Sequence, residues 1–377
     1  MFISSILPVF AFISSVALVS VLRRLAPRMG LVDVPTMRKA HIGSVPLCGG
    51  IAMFLALLAS VCLRAGLQRN ALGEEWAAIP PHNPWPFVLA LGLLVAVGIA
   101  DDRWEMGAIP KLALQVVAAS LLLGLGAETY LTAGGLLWPV SWPAPRWIGV
   151  PVALVFVVGV TNAFNMIDGL DGLAGSLAAT ALVGLAFSGK LIGHPTLAED
   201  CLLLLAAVLG FLLFNLRRPG LPRAIAFMGD AGSMMLGCAI ASVIVGLASR
   251  SATGNGPDIF PALLWLIAVP VTDTISLMIR RPLAGRSPMA ADRAHLHHLL
   301  LDLGILPAHA TTILTGVSAL LGVVGVSGVV FAIPASIMLA ALAIPVIAHC
   351  AFVWSCLYRQ KTTAKAQSLM VSSEPAE

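Results

Sequence analysis

Residues 84–105, PWPFVLALGLLVAVGIADDRWE, form an apolar run that ends in two adjacent carboxylates, Asp101 and Asp102. A helix needs roughly 20 apolar residues to cross the hydrocarbon core of a bilayer, and this run is about that long. Similar runs recur along the 377-residue chain, which is 59% hydrophobic and only 11% charged, with a mean hydropathy of +0.95. Ordinary globular domains carry about 25% charged residues. The composition therefore predicts a polytopic membrane protein and excludes soluble, disordered and disulfide-rich classes.

Comparing the apolar runs with the thickness of a bilayer gives about eleven membrane-spanning helices. We predict an all-α polytopic fold in which residues 1–357 form a single integral-membrane domain and residues 358–377 form a disordered cytoplasmic tail. The last two runs are separated only by Ile333-Pro334, which predicts a tight hairpin. The expected spans are 2–22, 45–63, 84–100, 112–127, 147–163, 172–188, 201–216, 232–249, 259–279, 311–331 and 333–357.

The basic residues are distributed unevenly between alternate loops. If the N-terminus lies in the periplasm, 17 of the 22 lysine and arginine residues fall in cytoplasmic loops or in the C-terminal tail. Such an excess is typical of cytoplasmic loops. Basic residues in a membrane protein report its orientation, so the net charge of +4 does not indicate binding to nucleic acid. Five polar clusters fall on this same side and predict one cytoplasmic active-site cleft: 38–50, 101–111, 162–171, 223–233 and 280–302.

Two of these clusters are rich in carboxylates and amides. Asp101 and Asp102 repel each other unless a cation or a proton compensates, which favours a metal or general-base site over a helix-terminal pair solvated by water. In NAFNMIDGLDG, residues 162–172, polar residues recur every three positions and so lie side by side on a helix. Their oxygens suit Mg²⁺ or Mn²⁺. The alternative is a polar helix end capped by Asx side chains.

Two further clusters combine a carboxylate or imidazoles with features that attract phosphate. In FMGDAGS, residues 227–233, Asp230 lies beside glycines at a helix start, where it either caps the helix or takes part in an anion-binding site. DRAHLHH, residues 292–298, follows three arginines and suits a diphosphate better than zinc, because no cysteine lies near. A basic patch on anionic lipid is the alternative for this segment.

Other polar residues lie singly in or beside the apolar runs. Lys111, at the start of the fourth span, either extends its ammonium group to the membrane surface or binds phosphate. Asp273 lies inside the ninth span, where we expect a hydrogen bond between packed helices. The isolated histidines have no polar neighbours in the sequence and are expected to be structural: His82, His194, His309 and His349.

These features together predict an enzyme. Oxygen donors for a hard cation and cationic side chains for phosphate face the cytoplasm, and the bilayer can supply a lipid substrate. The combination favours phosphoryl transfer between a soluble nucleotide diphosphate and a lipid phosphate. A transporter would instead carry polar residues at the midplane and at both sides. A CDP-alcohol phosphotransferase would carry two further spaced aspartates, which this chain lacks.

The ordered motifs resemble those of the polyprenyl-phosphate N-acetylhexosamine 1-phosphate transferases, above all the bacterial branch that uses undecaprenyl phosphate and UDP-GlcNAc. The resemblance begins at residue 31 and includes RKAH and PLCGG between Arg38 and Gly50. It implies an enzyme of the bacterial inner membrane with eleven helices and a cytoplasmic cleft. The implied reaction transfers N-acetylglucosamine 1-phosphate from UDP-GlcNAc to undecaprenyl phosphate and releases UMP. The product would be the first lipid-linked sugar of a cell-envelope polysaccharide such as O-antigen.

The resemblance also implies roles for individual residues. Asn165 and Asp230 would hold Mg²⁺, with Mn²⁺ able to replace it. Asp101 and Asp102 match the catalytic carboxylate pair, and we assign Asp168 to catalysis with them. Lys111 would bind a phosphate, and Asp171 and Phe227 would contact the uracil. Asn162 is also expected to bind substrate. The residues expected at the diphosphate or sugar are His295, His297 and His298. For these roles Asn165 and Asp230 must lie close enough to share one ion.

The chain departs from the family pattern at two places, and the second bears on the donor. Glu105 stands where relatives often have a third Asp. The last motif reads AHLHH rather than three consecutive histidines, which argues against UDP-MurNAc-pentapeptide as the donor. Another UDP-N-acetyl-sugar, such as UDP-FucNAc or UDP-QuiNAc, stays open. So do the choice between a direct and a covalent mechanism and the assembly of the chain as a homodimer.

Overall fold

The computed structural model describes residues 2–34, 43–72, 84–125, 146–253, 257–287 and 294–372. These residues are mostly helical, as the apolar runs predict. The helices are α1 (Phe2–Leu25), α2 (Gly49–Leu72), α3 (Trp85–Trp104), α4 (Ala108–Leu125), α5 (Arg146–Ile167), α6 (Leu173–Leu191), α7 (Pro195–Asn215), α8 (Gly229–Thr253), α9 (Phe260–Leu264), α10 (Ala268–Leu283), α11 (Leu296–Asp302), α12 (Pro307–Val330), α13 (Ala335–Ala341) and α14 (Ala343–Ser372).

Ten helical stretches within the described ranges are long and apolar enough to span a membrane. The fourth expected span corresponds to a shorter apolar helix, Ala108–Gly124, so that each of the eleven expected spans has a helical counterpart. The ninth span, Phe260–Leu283, is α9 joined to α10 by the 3₁₀ turn Trp265–Ile267. The all-α polytopic fold is confirmed. The break between α12 and α13 contains the expected hairpin at Ile333-Pro334.

The C-terminal helix is longer than the sequence analysis predicts. Residues 358–372, expected to belong to a disordered tail, continue α14 as helix to Ser372. This stretch contains Lys, Gln and Ala, which favour helix, and it contains neither Gly nor Pro. The rest of the expected tail, 373–377, lies outside the described residues.

α8 is the central helix of the bundle, since 94% of the residues in its apolar, membrane-spanning stretch are buried. It packs against α2, α3, α5, α6 and α7. Glycines allow two of these helices to approach closely. A Cβ at Gly50 of α2 would overlap the backbone of Gly232, and a Cβ at Gly98 of α3 would overlap the backbone of Ala231. Small residues are the usual means of close helix packing in membranes. They fix α2 and α3 against the first turn of α8.

A short antiparallel ribbon lies at the same end of the bundle. Val32–Asp33 pairs with Val45–Pro46, and the chain then runs beside Phe227. The carbonyl of Phe227 accepts hydrogen bonds from the N–H groups of Cys48 (3.2 Å) and Gly49 (2.9 Å). These bonds place the first residues of α2 and α8 next to each other.

The two ends of the bundle differ in their polar contacts. The C-terminal ends of α3 and α5 meet the N-terminal ends of α4 and α8, and these four ends carry most of the predicted polar residues. Far from them, near the other end of the helices, Arg64 of α2 forms an ion pair with Asp200 of α7 at 2.8 Å. The grouping at one end agrees with a single site. That this end faces the cytoplasm stays a prediction.

Candidate active site

Asp101 and Asp102 lie in the last turn of α3. The helix ends where Glu105 adopts a left-handed conformation (φ 49°) and donates its N–H to the carbonyl of Asp101 (2.9 Å). Because Gly98 packs against α8 one turn earlier, the acidic pair reaches the start of that helix. Asp102 there accepts a hydrogen bond from the backbone N–H of Asp230 (3.0 Å). The Asp102 carboxylate thus lies at the positive end of the α8 dipole.

Gly229 allows this contact between α3 and α8. Its φ of 68° lies in the left-handed region, which favours glycine. A Cβ at this position would also overlap the carboxylate of Asp102. The glycine that precedes Asp230 in the FMGDAGS motif is therefore required by the geometry of the acidic pair.

The ammonium group of Lys111, near the start of α4, lies at the centre of a polar cluster. Its Nζ is 2.7 Å from Oδ2 of Asp101 and 3.2 Å from Oδ1 of Asn165, and it also donates to Oδ2 of Asp230. The side chain is only 15% exposed, so it is directed into the cluster rather than to the membrane surface.

The amide of Asn165 completes the cluster from α5. It donates to Oδ1 of Asp230 and to Oγ of Ser233, each at 2.9 Å. The proximity of Asn165 and Asp230 that the sequence predicts is therefore present. Helices α3, α4, α5 and α8 each contribute side chains to one point, although those side chains are far apart in the sequence.

The oxygens around Lys111 form a donor set that fits Mg²⁺. Oδ2 of Asp101, Oδ2 of Asp230 and Oδ1 of Asn165 all contact the same positive group. Mg²⁺ typically takes one or two protein carboxylates and completes its shell with water and phosphate oxygens. Throughout the described ranges, no three His, Cys, Asp or Glu side chains form a metal-binding group. The fit therefore rests on Asn165 and Asp230, the two expected ligands, with the carboxylate of Asp101 beside them.

Asn162, expected to bind substrate, lies about one turn deeper in the bundle than the cluster. Its amide donates to Oε1 of Gln115 (2.6 Å) and to the carbonyl of Val158 (2.8 Å), and Gln115 donates back at 3.4 Å. Gln115 is buried and is not among the site residues predicted from the sequence. The sequence feature that could have indicated Gln115 is its position, four residues after Lys111 in an otherwise apolar helix. The amide pair joins α4 to α5 beneath the cluster.

Asp168 directly follows α5 and is partly exposed beside the cluster. Removal from water by the surrounding protein raises the pKa of this carboxyl group well above its ordinary value, and the negative charges of Asp230, Asp102 and Asp171 raise it further. A carboxyl group with a raised pKa keeps its proton to higher pH than an ordinary aspartate does and can serve in proton transfer. Its position is compatible with the expected catalytic role, which stays a prediction.

Asp171 forms an ion pair with the segment between α7 and α8. Its Oδ2 lies 2.7 Å from Nε of Arg217 and accepts the N–H of Ala224 (3.0 Å). The same segment leads to Phe227, so the two residues expected at the uracil are connected through it. Arg217 is a partner that the sequence motifs did not indicate. Contact of Asp171 and Phe227 with a nucleotide stays a prediction.

The three expected histidines form one group beside the loop that follows α5. The ring centroid of His297 is 5.4 Å from that of His295 and 4.3 Å from that of His298. His297 is only 1% exposed, and a Cβ at Gly169 would overlap its Nε2. Burial lowers the pKa of His297 well below its ordinary value, and the charges of His298 and His295 lower it further.

Asp273 makes a hydrogen bond between packed elements, as the sequence predicts. Its Oδ2 is 3.0 Å from Nδ1 of His295, and its Oδ1 accepts the N–H of Leu296 (3.0 Å). The expectation that His349 lacks a polar neighbour is wrong, because its Nε2 lies 3.9 Å from Asp273. The packing of α14 against α10 brings these distant residues together. Several residues of the expected motifs and clusters lie outside the described residues: Arg38, Lys39, His41, Asp292 and Arg293.

Comparison with known proteins supplies a further observation. The model of glycosyl transferase family 4 matches residues 85–248, which run from α3 into α8 and carry the whole cluster around Lys111. The chain is 32% identical over 321 residues to the undecaprenyl-phosphate alpha-N-acetylglucosaminyl 1-phosphate transferase of Yersinia pestis, a match covering 85% of this chain and 83% of that protein. The protein of the same name from Escherichia coli K12 is 31% identical over 306 residues, covering 81% and 78%. The decaprenyl-phosphate N-acetylglucosaminephosphotransferase of Mycolicibacterium smegmatis is 34% identical over 307 residues, covering 75% and 71%.

Proposed function

Because this chain belongs to glycosyl transferase family 4, the polyprenyl-phosphate N-acetylhexosamine 1-phosphate transferases, we propose that it transfers N-acetylglucosamine 1-phosphate from UDP-GlcNAc to undecaprenyl phosphate and releases UMP. The observation that carries the proposal is the convergence of Asp101, Asn165 and Asp230 on the ammonium group of Lys111. This cluster lies at one end of a multi-pass membrane bundle, where a lipid phosphate and a soluble nucleotide can both reach it.

Lys111 makes an acidic site able to accept phosphate. Asp101 and Asp230 alone would repel a diphosphate, because like charges a few ångströms apart interact unfavourably. The ammonium group places a positive charge at the point where the acidic oxygens meet. Charge-assisted hydrogen bonds from such a group to phosphate are short and strong.

Asn165 and Asp230 would hold Mg²⁺, and Asp101 lies beside them as the proton acceptor. When bound, the ion would neutralise negative charge on the diphosphate as UMP leaves. The protein keeps its donors in position before any ligand arrives. The amide of Asn165 is fixed by Ser233 and Asp230, and the backbone N–H of Asp230 is fixed by Asp102.

The reaction forms one phosphorus–oxygen bond and breaks another. An oxygen of undecaprenyl phosphate attacks the β-phosphorus of UDP-GlcNAc, and the oxygen that bridges the two phosphorus atoms leaves with UMP. Asp101 keeps the attacking phosphate deprotonated, while Asp102 orients the start of α8. Asp168 provides a second proton acceptor beside the cluster, since its pKa is raised. A covalent aspartyl-phosphate route would use the same residues.

We place this site at the cytoplasmic face of the bacterial inner membrane. The support is the excess of basic residues in the loops at this end of the bundle. The lipid product would then serve as the first sugar carrier for a cell-envelope polysaccharide such as O-antigen. A different UDP-N-acetyl-sugar, such as UDP-FucNAc or UDP-QuiNAc, would use the same phosphate and metal chemistry.

The proposal is tested by measuring UMP release from purified protein in detergent with Mg²⁺ and undecaprenyl phosphate. UDP-GlcNAc, UDP-FucNAc and UDP-QuiNAc are supplied separately, and the lipid product is identified by its mass in mass spectrometry. We expect UDP-GlcNAc to give UMP and undecaprenyl-diphosphate-GlcNAc only when the lipid is present. If UMP were released only from UDP-FucNAc or UDP-QuiNAc, that nucleotide sugar would be the donor in place of UDP-GlcNAc. Folded protein that releases no UMP from any donor would overturn the proposed function.

A further inference from the structure

We propose that Asp273 is a positioning residue for the histidine segment, defined as residues 294–298. With Arg281 it fixes the ring of His295, so that His297 rather than His295 contacts the donor's diphosphate. The inference rests on the proposed function, because it takes the donor to be a nucleotide diphosphate-sugar. It differs from the expectation that all three histidines bind substrate alike.

Asp273 is a buried carboxylate inside the ninth span. It is 1% exposed, and a buried carboxylate in such a segment is costly unless it is paired. Both of its oxygens are used by the histidine segment: Oδ2 by the ring of His295 and Oδ1 by the backbone N–H of Leu296, each at 3.0 Å. One side chain of α10 therefore holds both the backbone and a ring of the segment.

Arg281 holds the other side of the same ring. It lies two turns further along α10, is 5% exposed, and its guanidinium is 3.5 Å from Nε2 of His295. A carboxylate only accepts hydrogen bonds and a guanidinium only donates them. The network therefore assigns the proton of His295 to Nδ1 and the lone pair to Nε2. With both nitrogens engaged by α10, His295 has no ring nitrogen left for a phosphate.

His297 differs from His295 in this respect. It is 1% exposed, and within the described part of the chain neither of its ring nitrogens has a hydrogen-bond partner. Buried polar atoms are nearly always paired, so two unpaired nitrogens on one ring require a reason. Nε2 lies directly against Gly169, in the loop that joins Asp168 to Asp171. A phosphate group bound beside this loop would accept a hydrogen bond from the protonated nitrogen of this ring.

The C-terminal helix supports the segment from the other side. His349 lies 3.9 Å from the carboxylate of Asp273, and Leu299 of α11 packs with Val353 and Cys356 of α14. These contacts keep the short helix that follows the histidines against the bundle. The segment is thus held by α10 and α14, and its orientation depends on the Asp273 contact at the centre.

Asparagine substitutions separate the two histidine roles. Asparagine keeps an N–H donor near the place of Nδ1, so His295→Asn should preserve the bond to Asp273 and lower kcat/KM for UDP-GlcNAc several-fold less than His297→Asn. His297→Asn and Asp273→Asn should each lower kcat/KM by about 10- to 100-fold, as for other partners that orient a functional histidine. Equal losses in His295→Asn and His297→Asn would overturn the division of roles.

A double-mutant cycle tests whether Asp273 acts through His295. Asp273→Asn leaves one oxygen acceptor for the two N–H groups of His295 and Leu296, and its own N–H then has no acceptor on the His295 ring. An asparagine at position 295 supplies that acceptor. The double variant Asp273→Asn with His295→Asn should therefore be no less active than Asp273→Asn alone. If the loss in the double variant were the product of the two single losses, Asp273 would not act through His295. Wild-type kcat/KM in Asp273→Asn would likewise contradict a positioning role for Asp273. Asp200→Asn, which removes a paired carboxylate near the opposite end, is the matched control and should keep kcat/KM.

A readout without turnover distinguishes this inference from the proposed function. In ¹⁵N-histidine NMR of the wild-type protein, His295 should show the Nδ1–H tautomer, and Asp273→Asn but not Asp200→Asn should change it. If the wild-type protein released no UMP, this signal would still support positioning by Asp273, while the assignment of His297 to a diphosphate would fail. An Nε2–H tautomer of His295 in the wild-type protein would refute the positioning itself.

Discussion

Lys111 joins the two acidic motifs of the site through a single atom. Its ammonium group contacts Asp101 at the end of α3 and Asp230 at the start of α8. Without this charge the two carboxylates would face each other in partly buried surroundings, where like charges are unfavourable. The same charge is the group best placed to meet a phosphate. Lys111 therefore stabilises the resting structure, and we propose that it also binds the phosphate of the substrate.

Replacing Lys111 by Met should lower the rate of UMP release by at least about 100-fold, comparable to the loss of a preorganised group that stabilises developing charge. Initial rates with UDP-GlcNAc and undecaprenyl phosphate measure this loss. Lys190→Met, an exposed lysine at the far end of α6, should behave like the wild-type protein. Wild-type rates in Lys111→Met would remove the lysine from the mechanism.

His297 should make the stability of the protein depend on pH. Because its folded-state pKa is lowered, the unfolded chain binds more protons than the folded chain between that value and about pH 6.5. The contribution of His297 to stability is therefore greatest above about pH 6.5 and is lost as the pH falls. Melting temperatures in detergent at about pH 7.5 and about pH 5.5 should show a smaller decrease in His297→Gln than in the wild-type protein. Equal decreases would show that His297 is not the group responsible.

Among the helices, the contact of α3 with α8 determines the geometry of the site. Gly98 packs against the backbone of Ala231, one turn before Asp101 and Asp102. A side chain at Gly98 would separate the two helices and move the acidic pair away from Asp230. The position of a carboxylate thus depends on a glycine that takes no part in the chemistry.

Gly98→Ala should destabilise the protein by about 1–3 kcal/mol, the usual cost of overpacking, and should reduce UMP release as well. Thermal unfolding and initial rates measure the two effects. Gly159→Ala on α5 is the matched control, since a Cβ there has no neighbour within 4 Å and alanine favours helix. If Gly98→Ala and Gly159→Ala gave the same stability and rate, close packing at Gly98 would not control the site.

Sequence patterns predict the helices and part of the site for clear physical reasons. Apolar runs locate the spans, because a bilayer core has a fixed thickness. The proximity of Asn165 and Asp230 was expected from the family resemblance, because the two residues were to share one ion. Gln115 and the pair of His349 with Asp273 were not predicted, since such contacts depend on how distant helices pack. The helical residues 358–372 were missed because polar composition was given more weight than helix propensity.

For the molecule as a whole, the proposed use of a cytoplasmic UDP-sugar depends on which end of the bundle faces the cytoplasm. Single cysteines at positions 218 and 190, introduced into a cysteine-free variant, report the two ends, because both native residues are exposed. A membrane-impermeant maleimide should label position 190 in intact spheroplasts, and position 218 only after lysis. The reverse pattern would place the site outside and exclude a cytoplasmic UDP-sugar as its substrate.

The whole fold serves to bring Asp101, Lys111, Asn165 and Asp230 to one point, and the rate of UMP release by Asp230→Asn tests this most directly. We predict that this variant inserts and melts like a folded protein but loses at least about 100-fold in rate at saturating Mg²⁺. EDTA should reduce the wild-type rate similarly, and added Mg²⁺ should restore it. Asp200→Asn should keep wild-type rates. Full Mg²⁺-dependent activity in Asp230→Asn would contradict the site described here.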